Sequence, residues 1–258
     1  MKSDMSESSS VSSVAKPDYG IDAPAVLRNL FLIGGACLVL GLVLPPVMHL
    51  GPIALLTRPT FLWPAFFLLA EGLLYLLYVK RGKFRHRDRM LALHDWLGDE
   101  DVLDVGCGRG LLLAGVAKRI RNLNGRGKAT GIDIWSNVDM GGNSEAATRR
   151  NLEIEGVSEI CSLLSVPAQE MPFADGSFDV VVSNLCLHNI YDQQLRQKAV
   201  RRIADVVKAG GMAILSDYKK TAEYADVLQA AGFEVKKVRG GFFSTFPPLT
   251  IVAARKPL

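Results

Sequence analysis

The spacing of apolar residues divides the chain into three stretches. Residues 1–16 hold seven serines and few apolar side chains. Such a composition buries too little surface to fold, and a disordered tail is expected over residues 1–25. Residues 30–50 then run for 21 positions without an Asp, Glu, Lys or Arg, and residues 60–79 for 20 with Glu71 as their one charge. A helix rises about 1.5 Å per residue, so about 20 residues cross the ~30 Å hydrocarbon core of a bilayer. Two transmembrane helices are expected, in an anchor over residues 26–79. From residue 90 to residue 258, short apolar runs alternate with stretches whose apolar positions recur every three or four residues, the pattern of an α/β domain.

Within that domain the pattern predicts helices at 86–97 (Met90, Leu91, Leu93, Trp96 and Leu97 on one face), 111–120, 143–155, 193–208 and 221–231. It predicts strands at 102–105, 128–134, 160–165, 180–183, 212–217, 234–238 and 248–255. Gly210-Gly211 reads as the cap that ends the fourth helix. Residues 240–248 show no helical period, so a loop joins the last two strands, which run antiparallel.

Charge sets the orientation of the anchor. Lys80, Arg81, Lys83, Arg85, Arg87 and Arg89 follow the second apolar run directly. A basic juxtamembrane linker over residues 80–89 places the α/β domain in the cytoplasm, and two spans return the N-terminus to the same side. Glu71 costs insertion about 2.5–3.5 kcal/mol, whereas each Leu or Phe contributes about −0.3 to −0.6 kcal/mol. The ten Leu and Phe residues of that segment offset it. Glu71 is either a functional group at membrane depth or a helix-pairing residue. Pro45-Pro46 stop or kink the first helix. Trp63, Tyr75 and Tyr78 suit the interfaces. A signal peptide would need a basic leader and a small-residue cleavage site, and neither is seen. Two core helices of a soluble protein are the competing reading.

The net charge of +4 over 258 residues is too small to imply nucleic-acid binding. Lys118, Arg119, Arg121, Arg126 and Lys128 read as a solvated helix face. Cys37, Cys107, Cys161 and Cys186 show no metal-ligand spacing and read as reduced thiols. Cys107 and Cys186 read as packing residues rather than nucleophiles.

Candidate chemistry starts at Val102-Leu103-Asp104-Val105-Gly106-Cys107-Gly108-Arg109-Gly110. A glycine turn between a strand and a helix N-terminus lets backbone N–H groups approach a ligand closely. Asp133 ends the next strand, 23 positions beyond Gly110, where an acid accepts hydrogen bonds from ribose hydroxyls. Two more blocks follow, Met171-Pro172-Phe173-Ala174-Asp175-Gly176-Ser177-Phe178-Asp179 running into a buried strand, and Lys208-Ala209-Gly210-Gly211-Met212-Ala213-Ile214-Leu215-Ser216-Asp217.

In order and spacing these four blocks resemble the class I S-adenosylmethionine-dependent methyltransferases, and within them the small-molecule branch with the quinone and sterol methylases. The resemblance covers about residues 90–258. It implies a Rossmann-like seven-stranded sheet with only the last strand reversed, and S-adenosylmethionine as cofactor. It also implies roles. The loop of Gly106, Cys107, Gly108 and Gly110 would cradle the methionine part of the donor, with Asp104 facing its amino group. Asp133 would bind the ribose, and Ile134 and Trp135 would lie beside the adenine. Ala168 and Gln169 match the stretch at the adenine amine, although Pro167 stands where relatives often carry Asp. Asn184 and the residues after it match the loop that closes over donor and substrate.

Methyl transfer needs alignment above all, and a base only if the acceptor starts protonated. His188 is the first candidate base, with Asp217 and Tyr218 behind it. Lid candidates are residues 134–143, 186–193 and 240–247, the last with Phe242, Phe243 and Phe246 as an apolar lip. No strand is followed by a large insertion, so the membrane hairpin is expected to complete the lid. The expected activity is methylation of a hydrophobic small molecule by a membrane-anchored enzyme. A tethered protein or RNA methylase and a non-catalytic donor-binding module are the alternatives.

Overall fold

The computed structural model describes residues 15–136, 141–240 and 245–258. The chain first forms a helical hairpin, α1 (Pro24–Val43) and α2 (Thr57–Leu77), joined by a two-stranded ribbon of β1 (Val47–Leu50) and β2 (Ile53–Leu56). Pro45 and Pro46 stop α1, so the first apolar run is shorter as a helix than expected and its end turns into the ribbon. Glycines set how closely the helices approach. Built-on Cβ atoms would meet Leu69 at Gly34, Leu62 at Gly41 and Phe31 at Gly72. These partners run in opposite directions along the two helices, and such small residues let helix backbones pack tightly. Both helices are long and apolar enough to cross a membrane by length and composition. Much of their apolar surface faces outward, with Ile33, Leu42, Trp63 and Phe66 more than half exposed. Glu71 is also exposed on α2.

The basic stretch expected as a linker is helical. A short π-helical turn (Tyr78–Gly82) joins α2 to α3 (Lys83–Leu91), giving one continuous helix over Thr57–Leu91. It ends earlier than the sequence pattern suggested. Glu100 draws the Leu97 and Gly98 N–H groups away at 2.6 and 2.8 Å, and Trp96 Nε1 bonds the Leu91 carbonyl at 2.6 Å.

The α/β domain continues through β3 (Asp101–Val105), α4 (Leu111–Asn122), β4 (Lys128–Asp133), α5 (Glu145–Ile154), β5 (Cys161–Ser165), β6 (Phe178–Asn184), α6 (Gln193–Val206), β7 (Val207–Asp217), α7 (Thr221–Ala230), β8 (Glu234–Arg239) and β9 (Thr250–Arg255). The seven strands order as β5-β4-β3-β6-β7-β9-β8. All run parallel except β9, which is antiparallel to both β7 and β8. This is the expected Rossmann-like sheet with the last strand reversed. Strand side chains alternate between faces. Leu103, Val181 and Leu215 pack with α6 and α7, while Val102, Val180, Val182 and Ile214 pack with α3 and α4.

Gly210-Gly211 departs from expectation. The helix already ends at Val206, and the glycines sit within β7 at a register irregularity opposite β6. Gly210 has φ +75°, and a Cβ on Gly211 would press on the Asp179 carbonyl oxygen at 2.7 Å. Backbone crowding at an irregular strand, rather than a helix end, requires glycine here.

The tail also departs from expectation. Residues 1–14 lie outside the described residues, but residues 18–23 form a strap across the carboxyl ends of the strands. Asp18 N–H donates to Asn151 Oδ1 at 2.9 Å, and the Tyr19 hydroxyl donates to Glu155 at 2.6 Å. Lys83 Nζ donates to the carbonyls of Tyr19 and Gly20 at 2.9 and 2.6 Å. Arg109 pairs with Asp18 at 2.9 Å.

Candidate active site

The carboxyl ends of β3, β4, β6 and β7 converge on one cavity of about 770 Å³. After β3 the chain turns at once, because the Gly106 and Cys107 N–H groups both donate to the Ile132 carbonyl, at 2.8 and 3.1 Å. Gly106 has φ +75°, and a Cβ there would run into the Cys186 side chain. Glycine is therefore required by conformation and by the close approach of the loop after β6. Gly110, with φ +84°, leads directly into α4.

Asp133 holds this loop in place. Its carboxylate accepts from Gly108 N–H at 2.8 Å and Trp135 N–H at 2.6 Å, with Asn143 Nδ2 at 3.4 Å. The loop is held from the other side by two residues that no sequence motif marks. Thr148 Oγ1 donates to the Gly108 carbonyl at 2.6 Å and Asn151 Nδ2 to the Arg109 carbonyl at 2.9 Å. Both are polar groups buried on α5, a signature that composition alone does not show.

Asp104 is the electrostatic centre. It is 2% exposed, and its Oδ2 has no hydrogen-bond partner. Burial first, and then the nearby Asp133 charge, push its carboxyl up to about 8, against the opposing Leu113 backbone hydrogen bond. An unpaired buried carboxyl of this kind is a receptor for a cation. Asn184 Oδ1 is a second buried oxygen without a partner. Ile134, Ala168 and Gln169 line the same cavity. Ile134 is exposed at 65%, whereas Trp135, held by its Nε1 bond to Ser165 at 2.6 Å, is not among the residues that line the cavity. A ligand with a cationic amino-acid end, a ribose and a flat base matches this set, so the residues fit S-adenosylmethionine. Burial pushes the Cys107 thiol far up, which suits packing rather than nucleophilic attack.

His188 and Asp217 come together as a pair. His188 Nδ1 lies 2.9 Å from one carboxylate oxygen of Asp217 and 3.0 Å from the other. Asp217 also accepts from Tyr218 N–H at 2.8 Å and the Tyr224 hydroxyl at 3.2 Å. Its side chain is 1% exposed. It was expected as a second, independent base. The structure makes it instead the group that orients His188 and fixes its Nδ1–H tautomer, leaving Nε2 for the cavity that His188 lines.

His86 is buried against β7 beside the site rather than lining its cavity. Its Nε2 lies 2.6 Å from Ser216 Oγ. Burial and then the Arg89 charge push the imidazole down to about 4, with Asn184 acting the other way. A histidine at the start of an amphipathic stretch gives no signal of this contact.

The wall opposite the glycine loop comes from the N-terminal elements. Tyr19 and Asp22 of the strap, Val26 and Leu30 of α1, and Tyr75 of α2 all line the cavity. Leu27, Tyr75, Tyr78 and Val79 pack with Leu249, and Phe246 lies 6.3 Å from Tyr75 between ring centroids. Of the expected apolar lip, Phe246 is present. Phe242 and Phe243 lie outside the described residues, as do residues 137–140 of another expected lid.

Residues 103–215 match the family model described as a methyltransferase domain. That stretch, β3 through most of β7, is therefore a methyltransferase domain. The chain is 32% identical over 122 residues to the sterol 4-C-methyltransferase strm-1 of Caenorhabditis elegans, a match covering 47% of this chain and 32% of that protein. It is 32% identical over 113 residues to the demethylmenaquinone methyltransferase of Staphylococcus aureus (strain MRSA252), covering 44% and 41%. The chain thus spans between about a third and about half of the length of its curated relatives. A SAM-dependent methyltransferase from Methanosarcina mazei shares the fold, with a TM-score of 0.51 at 17% identity, covering 66% of this chain and 97% of that one.

Proposed function

We propose that the protein is a membrane-anchored, S-adenosylmethionine-dependent methyltransferase acting on a hydrophobic small molecule such as a lipid, quinone, or lipophilic thiol or phenol. The observation that carries this reading is that one cavity is lined both by the donor residues Asp104, Gly106 and Gly108 and by Val26, Leu30 and Tyr75 of the apolar hairpin. The outward apolar surface of α1 and α2 and the six cations after Val79 support an anchor with the methyltransferase domain on the cytoplasmic side. Relatives named for sterol and quinone substrates point to the same class of acceptor.

When bound, the cofactor supplies a methyl group on a cationic sulfur. The protein's part is to bind, align and deprotonate. Asp104 neutralises the ammonium, the glycine loop sets the donor's depth, and Asp133 holds the ribose. Nε2 of His188, a residue that lines the cavity, would take the proton that an acceptor gives up on methylation. Asp217 stabilises the imidazolium that results. A positioned base of this kind contributes about 10²–10⁴ in rate.

The test is full-length protein in detergent with isotope-labelled donor and fractionated cell extract, with Asp104→Ala as control. Label in the organic phase is the expected outcome. Label only in protein, RNA or water-soluble compounds would overturn the acceptor class, and no transfer at all would leave a donor-binding module.

A further inference from the structure

The Tyr78 hydroxyl is buried without a hydrogen-bond partner, in a residue that is 4% exposed and lines the cavity. A buried phenol left unbonded destabilises the fold, and native structures keep few such groups without a reason. Packing does not supply the reason. The ring stacks on Tyr75 at 6.4 Å between centroids and 13° between planes, which a phenylalanine would do equally well.

The polar groups around it are close to neutral in sum. Lys83 spends two of its three N–H donors on the Tyr19 and Gly20 carbonyls. Asp22, whose backbone carbonyl accepts from Tyr75, lines the cavity beside it, and burial pushes its carboxyl up against the lowering effect of Lys83. A carboxyl here disfavours an anionic phosphate head, and one already committed lysine does not form an anion clamp. The remaining wall, Val26, Leu30, Phe246 and Pro247, is apolar and offers nothing to a charged polymer.

We propose that this wall is the acceptor subsite, in which Tyr78 donates a hydrogen bond to an oxygen on the uncharged head of a membrane amphiphile whose apolar tail leaves past Val26 and Leu30 along the base of the hairpin. The inference rests on the reading of the protein as a methyltransferase with a lipophilic acceptor and deepens it. The hairpin is then part of the active site, and Tyr78 selects the acceptor while His188 serves the reacting atom.

The experiment uses full-length protein in phosphatidylcholine vesicles doped with the organic-solvent extract of host-cell membranes, tritiated methyl donor, and counting of the organic phase. Tyr78→Phe is expected to raise the apparent KM for the extract about tenfold, the usual scale for losing one such hydrogen bond. Donor affinity by calorimetry stays at the wild-type value, and Tm is equal or higher because an unbonded hydroxyl has been removed. An unchanged KM overturns the inference alone. A lower Tm with weakened donor binding also overturns it, by assigning the hydroxyl a structural role. Wild-type protein that binds donor but labels nothing in the organic phase overturns the underlying reading and the inference with it.

Discussion

His188 Nδ1 and the Asp217 carboxylate lie 2.9 Å apart, and Asp217 is held by three further donors, from the His188 and Tyr218 backbones and the Tyr224 hydroxyl. A carboxylate so bound stays where it is and fixes the imidazole with its other nitrogen toward the cavity. His188→Ala should lower kcat by about 10²–10⁴ for an acceptor that starts protonated, with donor affinity unchanged. Asp217→Asn should cost about 10² in kcat by loosening the tautomer. His188→Gln should lose as much kcat as His188→Ala, because an amide cannot take the proton. Wild-type kcat in either variant would remove His188 from the chemistry.

Asp104 links donor binding to pH. Its carboxyl is pushed up to about 8 without a donor, and a bound ammonium favours the ionised form. Binding near pH 7 should therefore release a proton, and donor affinity should rise between about pH 6 and 8 and then level off. Calorimetry in buffers of different ionisation enthalpy reads the proton directly. Asp104→Asn should abolish both the release and most of the affinity. Because the raised pKa makes ionisation costly in the native state, donor-free wild type should lose stability relative to Asp104→Asn as pH rises from about 4 to 8.

His86 acts with the opposite sign. Its imidazole is pushed from 6.5 down to about 4, so the folded protein binds fewer protons than the unfolded chain between those values. Stability is fully present above pH 6.5 and should fall as pH drops toward 4, by up to about 3 kcal/mol. Asp104 acts with the opposite sign over the same range but is common to both proteins, so the stability of wild type relative to His86→Gln should fall as pH drops from 6.5 to 4. A difference between the two proteins that does not change with pH would contradict a buried neutral imidazole.

The hairpin contact at Gly41 and Leu62 gives a test of the acceptor wall that leaves the donor residues untouched. A Cβ at Gly41 would meet Leu62 Cγ at 2.9 Å, so Gly41→Val should force α1 and α2 apart at a cost of about 1–3 kcal/mol. Methyl transfer to membrane extract should fall while donor binding persists. Equal transfer by both proteins would separate the hairpin's packing from catalysis.

The α/β part of the fold was legible because its strands are short apolar runs bounded by glycine and acidic turns, and its helices carry a regular apolar period. The glycine loop and Asp133 stood out because backbone approach to a ligand demands those residue types at that spacing. Other features depend on contacts far apart in sequence and leave no local trace. Gly210 and Gly211 look like a helix cap until β6 and the C-terminal residues crowd them. Asp217 looks like a spare acid until His188, 29 positions earlier, folds against it. The strap of residues 18–23 reads as tail because its bonds are made to Asn151, Glu155 and Lys83. The link between His86 and Ser216 spans 130 positions.

The unbroken helix over Thr57–Leu91 has a mechanical consequence. A flexible tether lets a catalytic domain search a volume set by linker length. In the proposed membrane-anchored protein, a rod with exposed apolar residues at one end and His86 against β7 at the other would hold the domain at one height and one tilt. The mouth of the cavity would then not travel to its substrate. It would wait at a fixed depth and select compounds whose reactive atom floats at that level.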